Sequence, residues 1–373
     1  MSSDELEIMS GAIIAYRLFD VAYSIDLPKV EMLWAERARS SSRRARLSTA
    51  APKAVAFGVA PVEIALEPIL LHLGAVTATA GVTVRLYDFG VATIALRLPA
   101  SRLSWSAFAE LMNTMDRSLG AGAQTQVWAD LLTQIRTTFA NAFVRPASST
   151  IEEDYLIGAV EAFSETLSAE DLQRRVDLVS LLSGERRPLS AAARHDLLRQ
   201  SFSYYTDDLV VLTWDRAFIY EPRHDSDVAD VLEVANAQLL EMRYYDELLD
   251  AELPRMYGLI ERTQRTMSPF ASQRFAQLAR RLTALVAEVT ELTEKVDNAL
   301  QVTEDVYLAR IYASAVELFR VTTVGAAVDR KLAIIRDTYT TLYQEASAAR
   351  AALMEAVIVV LIAVEIVLAL LRH

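Results

Sequence analysis

Thr83-Val-Arg-Leu-Tyr-Asp-Phe-Gly-Val-Ala-Thr-Ile-Ala-Leu96 reads as a β-hairpin. Two β-rich runs, Thr83–Tyr87 and Val91–Leu96, flank Asp88-Phe89-Gly90, and the glycine suits a turn with positive φ. Moving toward the N-terminus, Ala12–Leu18, Val21–Ile25, Ala54–Phe57 and Val62–Leu66 read as further short strands. Moving the other way, Ser104 is an N-cap for a helix through about Ser118, which Gly120-Ala-Gly122 breaks. A second helix is expected from Thr125 to Phe143, ending before Pro146. Asp154–Phe163 reads as a strand. Leu209–Thr213 and Ala217–Tyr220 read as a hairpin over Trp214-Asp215-Arg216. Residues 1–221 are therefore expected to form an α+β domain of short strands and hairpins.

From Pro222 onward helix signals dominate. Val228, Leu232, Ala235, Leu239 and Met242 share a helical face, and Pro254 is expected to end or kink that helix. Ser268-Pro269 suits the start of the next. Phe275, Leu278, Leu282, Leu285, Val289, Leu292, Val296 and Ala299 keep a 3-4 spacing, as do Val328, Leu332, Ile335, Tyr339, Leu342, Ala346, Ala349 and Leu353. Such spacing is that of a coiled-coil seam. A helical hairpin or stalk is expected over residues 222–350.

That second run leads directly into Ala351–Leu371, apolar throughout except for Glu355 and Glu365. About 21 helical residues at 1.5 Å each span roughly 30 Å, the hydrocarbon thickness of a bilayer. Residues 351–373 are thus expected to be a C-terminal transmembrane anchor. Counting in the 3-4 pattern, Glu355, Ile358, Ile362, Glu365 and Ala369 fall on one stripe with Arg372. A carboxylate at mid-membrane costs roughly 2.5–3.5 kcal/mol. A one-sided stripe is explained by contact with protein, most simply another copy. It is equally explained by Glu355 at the headgroups with Glu365 protonated or snorkelling. Packing in a helical core and a ring of helices conducting ions past Glu365 are further readings.

The 373 residues carry a formal charge of −12, 53% hydrophobic residues and no cysteine. The acidic balance argues against nucleic-acid binding by the whole surface. Disulfides, Cys-ligated zinc, iron–sulfur clusters and thiol catalysis are excluded. Met1-Ser-Ser-Asp-Glu-Leu-Glu has neither the basic start nor the apolar core of a secretory signal, so the body is expected on the cytoplasmic, or matrix-equivalent, side.

No phosphate loop, nucleophile elbow or dinucleotide fingerprint occurs, and 11 glycines are few for a nucleotide-binding α/β enzyme. His72, His195, His224 and His373 have no metal-ligand spacing and suit structural or surface roles. Asp207, Asp208, Asp215 and Tyr220 offer the best place for an unfamiliar active site, though Asp207-Asp208 also suits a solvated strand start. Tyr204-Tyr205, Tyr244-Tyr245 and the four Trp suit core or interface. Arg37, Arg39, Arg43, Arg44 and Arg46 make the strongest basic patch, expected as a solvated loop over Glu36–Leu47 that could meet anionic lipid or RNA.

The tail residues Leu353-Met-Glu355, Val357–Ile362 and Val364–Val367 resemble the "required for meiotic nuclear division" family of membrane proteins, with weaker echoes in Tyr87–Thr93 and Leu253-Pro254-x-x-Tyr257. Met354 stands where that family has Trp, and Phe89-Gly90 where it has Tyr-Gly. The resemblance implies an oligomeric membrane protein, with mitochondrial members supporting organellar translation; it implies no catalytic residues. The expected function is a non-enzymatic, cofactor-free, tail-anchored scaffold that homo-oligomerises through stalk and anchor. The alternative is a membrane-tethered adaptor for RNA or the ribosome.

Overall fold

Strand β1 (Glu7–Asp20) organises the sheet, and its last nine residues, Ala12 to Asp20, are all buried. The computed structural model describes residues 6–40, 47–48, 55–56, 60–74, 76–147, 151–185, 187–223, 227–264, 277, 280, 283–284, 286–287, 289–291, 301–302 and 306–371. Further strands are β2 (Ala22–Ile25), β3 (Leu47–Ser48), β4 (Val55–Ala56), β5 (Val62–Leu73), β6 (Val76–Leu86), β7 (Val91–Ala100) and β8 (Leu103–Ser104). They are followed by β9 (Phe143–Pro146), β10 (Glu152–Phe163), β11 (Ser201–Phe202), β12 (Leu209–Leu212), β13 (Arg216–Tyr220) and β14 (Gln301–Val302). The main sheet runs β11-β12-β13-β10-β1-β7-β6-β5-β3, with β8 also on β1. All its pairs are antiparallel except β10 with β13. The chain divides into two compact units, Met1–Tyr244 with Lys295–Thr322, and Tyr245–Glu294 with Thr323–His373.

In the first unit, side chains alternate between two covered faces of the sheet. Ile13, Ala15, Val82, Val84, Ile94 and Leu96 belong to one buried core. Helix α1 (Leu27–Ser40), α2 (Trp105–Leu119) and α3 (Val127–Phe139) contribute Trp34, Phe108, Met112, Trp128 and Ile135 to it. Ser104 caps α2, accepting from the Ala107 N–H, and the buried Trp105, Phe108, Met112, Met115 and Leu119 recur at helical spacing. The opposite face carries Tyr16, Arg85, Thr93 and Tyr155. It is covered by the Val228–Gln264 helix up to Tyr244 and by the Val306–Leu318 helix, whose following Phe319 meets Tyr155 edge-on at 5.2 Å.

The expected hairpin is β6–β7, paired from Gly81–Arg97 to Leu86–Ala92. Its turn depends on Gly90, whose φ is +104°. A Cβ there would stand 1.8 Å from the Ala22 carbonyl oxygen. That closeness lets the Val21 N–H donate to Gly90 O at 3.0 Å, fixing the turn to the end of β1.

Several expectations are corrected. The strands are long: β1 has 14 residues and β5 and β10 have 12 each. Burial on both faces removes the polar alternation that marks a strand's end. Glu36–Leu47 is no uniform loop, since α1 extends to Ser40 and places Arg37 and Arg39 on a helix. The helix begins after Asp26, whose Oδ1 accepts the Lys29 N–H at 3.1 Å, and it buries Leu27, Val30 and Trp34. The helix expected over Thr125–Phe143 stops at Phe139, because Phe143–Pro146 turns extended to pair with β2. Pro254 does not end its helix, which continues to Gln264; Pro254 sits on an exposed side of it.

In the second unit, Leu249, Met256, Val289, Val328, Leu332 and Ile335 are buried. Lys331 pairs with Asp246 and Asp250, each at 2.6 Å, and so ties the Val228–Gln264 helix to the terminal helix Val321–Leu371. Thus three of the second heptad run's positions are core. Of the first run, only Val289 lies within the described residues. Among the described residues no single helix is long and apolar enough to cross a membrane. Only the consecutive helices Val306–Leu318 and Val321–Thr338 qualify together, and the first buries Tyr307, Leu308, Ile311 and Ala315 within its own unit.

Two outcomes follow from buried groups in the first unit. Gly90→Ala should destabilise the fold by at least about 2 kcal/mol in chemical denaturation, since a Cβ collides with backbone. Asp20, at the end of β1, is 3% exposed with an unpartnered Oδ2 among the described residues. Burial pushes its pKa from 3.8 to about 7, against the opposing pull of Arg136. The folded state thus holds this proton more tightly than the unfolded chain. Its stabilising effect is complete below pH 4 and disappears as pH rises to about 7. Asp20→Asn should accordingly gain on the order of 2 kcal/mol over the parent at pH 8, with the gap closing at pH 4.

Candidate functional site

Alternation along β6 sends Val82, Val84 and Leu86 into the main core and Thr83, Arg85 and Tyr87 to the opposite side of the strand. Arg85 therefore emerges beneath the first turns of the Val228–Gln264 helix. Three carboxylates converge on it. Glu63 of β5 accepts at 2.7 Å, Asp230 at 2.9 Å and Glu233 at 2.6 Å. The second oxygen of Glu233 accepts the Tyr87 hydroxyl at 2.8 Å. Asp230 and Glu233 are spaced i, i+3 near a helix N-terminus, where the helix dipole favours negative charge.

Glu233 is 3% exposed. Burial raises its pKa above the usual carboxylate range, outweighing the opposing Arg85. For Arg85, burial works against the charge, but Glu233, Tyr87 and Asp230 outweigh it and hold the guanidinium protonated. Burial likewise pushes Tyr87 up, with Glu233 adding to it.

Beside this cluster a cleft of about 160 Å³ opens over the sheet. Its floor is Ile14 and Tyr16 of β1, Thr93, Ala95 and Arg97 of β7, and Thr83 of β6. Glu63, Arg85 and Glu233 form one wall. Register brings these residues together, because Tyr16 faces Ala95, which faces Thr83, while Thr93 faces Arg85, which faces Glu63. At the rim Arg97 pairs with Glu161 at 3.2 Å, and Glu161 also accepts the Ser10 hydroxyl. The cleft thus combines buried charge, hydroxyl groups from three strands and a small apolar floor, which suits retention of a small polar ligand.

A second buried cation, Arg216, is structural. It donates to Asn113 at 2.6 Å, Leu181 O at 2.9 Å and Asp116 at 2.6 Å, tying β13 to α2 and to α4 (Leu178–Ser183).

The residues proposed from sequence are dispersed. Asp208 accepts the backbone N–H groups of Tyr204 at 2.7 Å and Tyr205 at 3.1 Å, so it fixes a turn. Tyr220 packs on Phe163 at 5.0 Å in the core. Asp207 and Asp208 precede β12 at the end of the hairpin where β13 finishes with Tyr220, whereas Asp215 is in the turn at its other end. The four do not converge. Arg37 donates to Thr138 at 2.7 Å, and Arg43, Arg44 and Arg46 lie outside the described residues. His72 contacts Thr77 at 3.2 Å and His195 is exposed, while His224 and His373 lie outside the described residues. Among the described residues no group of His, Asp or Glu is arranged to hold a metal ion. Glu355, Ile358, Ile362 and Glu365 are all exposed on the terminal helix, and the Ala369 side chain is outside the described set.

The family described as "Uncharacterized protein MJ0711, N-terminal domain" matches residues 10–227, more than half of the chain. The chain belongs to that family. A relative of the same description, uncharacterized protein MJ0711 of Methanocaldococcus jannaschii, is 26% identical over 194 residues. The match covers 52% of this chain and 58% of that relative, so the chain spans little more than half of the relative's length. No solved structure matches. These findings overturn the resemblance to the meiotic nuclear division family. That likeness rested on tail residues 353–367, which the matched region does not include, and a short run of Val, Ile and Leu around a Glu is a weak family mark. The match does include Tyr16, Glu63, Arg85 and Arg97, and it stops just before Asp230 and Glu233.

No sequence pattern singles out Arg85, because its partners are 22, 145 and 148 residues away. The one local signal is an arginine inside an otherwise uncharged strand, Val76–Leu86. Arg85→Met leaves these carboxylates without their buried cation. It should cost about 3–5 kcal/mol in urea denaturation at pH 8, and less as the pH is lowered, because burial raises the Glu233 pKa.

Proposed function

We propose that this protein is a non-enzymatic scaffold that is held at a membrane by its terminal segment and self-associates through the terminal helix. The observation that carries this is the exposure of apolar side chains from Val357 to Leu368, interrupted only by Glu365, including Val359 and Val360 at 60% and Leu361 at 62%. Consecutive exposed residues occupy every side of a helix, so no single packing partner within the chain covers them. Soluble monomers rarely leave such continuous apolar surface to water. Lipid covers an all-round apolar helix. Glu355 and Glu365 favour a protein neighbour along their stripe, because a carboxylate facing lipid costs roughly 2.5–3.5 kcal/mol. Other copies of the same helix supply that neighbour, with Glu355, Ile358, Ile362, Glu365 and Ala369 at the contact. In this reading, the sheet unit is the body presented at the surface.

Membrane fractionation and sizing in detergent test both parts. The full chain should pellet with membranes and elute as an oligomer, and removal of residues 351–373 should release it. Glu365→Leu should leave it in the membrane fraction while altering subunit number. A full chain that stays soluble and monomeric overturns the proposal.

A further inference from the structure

We infer that the cleft above Tyr16 is a binding site for a small aliphatic ammonium ligand. Three observations meet there. First, the room is of the right scale: about 160 Å³, where roughly 150 Å³ holds a benzene-sized molecule. Second, Tyr16 is 6% exposed and lines the cleft, yet its hydroxyl has no hydrogen-bond partner among the described residues. A hydroxyl without a protein partner in a cleft is available to accept a hydrogen bond from a ligand. Third, the local charge is unbalanced. Glu63, Asp230 and Glu233 surround Arg85 alone, and the nearby Arg97 is matched by Glu161. The surplus is negative and lies against the cavity through Glu63 and Glu233.

These features select the ligand. Surplus carboxylate charge in a half-buried site attracts a cation. The Tyr16 oxygen accepts from an ammonium N–H, as does Glu63, whose side chain is 35% exposed and so retains access. Ile14 and Ala95 provide an apolar surface for a short methylene chain. An anion would instead find both arginines already engaged by carboxylates. The inference does not depend on the terminal helix.

Isothermal titration of the full chain in detergent tests it, with putrescine as probe and butane-1,4-diol and succinate as neutral and anionic controls of similar length. Putrescine should bind saturably, and the diol and succinate at least about tenfold more weakly. Tyr16→Phe and Glu63→Gln should each weaken putrescine by about tenfold. Tyr16→Phe removes a hydroxyl with no protein partner, so its unfolding midpoint should match that of the parent. That variant therefore separates lost binding from lost folding. No saturable heat below about 10 mM, succinate binding in preference to putrescine, or equal affinity in the folded Tyr16→Phe variant would each overturn the inference.

Discussion

A guanidinium buried between a sheet and a helix sets conditions on everything around it. Arg85 can occupy that position only because Glu63 comes from the neighbouring strand and Asp230 and Glu233 from the helix above. Removing either source strands charge in a low-dielectric layer, where an uncompensated ion costs several kcal/mol. The cluster therefore fixes the register of β5 on β6 and the placement of the first helical turns together. Tyr87 extends the constraint into the turn of the hairpin, since its hydroxyl is committed to Glu233 and its ring stacks at 5.1 Å on Phe89. Such a network contributes less through net energy than by making alternative packings expensive.

The parts of this fold that were legible in the sequence are those with local causes. The β6–β7 hairpin is visible because Gly90 punctuates two apolar runs, and α2 because Ser104 and a 3-4 apolar spacing coincide. Local causes were also present for α1, in Asp26 and Pro28, but the arginine-rich run that follows drew the boundary in the wrong place. The ends of β1 were hidden for a different reason. A strand covered on both faces carries apolar residues in sequence, and its one late carboxylate, Asp20, is itself buried. The cleft was the least accessible part. Its residues come from four strands and a helix, and only pairing register assembles them.

The two heptad runs fared according to what surrounds them. Val328, Leu332 and Ile335 are buried near the Lys331 ion pairs, so periodicity and packing agree there. Beyond that point the same helix carries apolar residues that nothing among the described residues covers. A pattern that is amphipathic in one half and apolar all round in the other implies two different environments along one continuous helix.

The first compact unit is discontinuous: the chain leaves it after Tyr244 and contributes to it again from Lys295 to Thr322. During synthesis the sheet therefore emerges long before its last helical cover. Tyr155 must wait for Phe319, more than 160 residues later, before its ring is capped. Until then the part of that face around Tyr155 lacks its cover. Completion of this unit is thus a late event, and a stop or cleavage before residue 306 would leave the matched family region present but its sheet half-dressed.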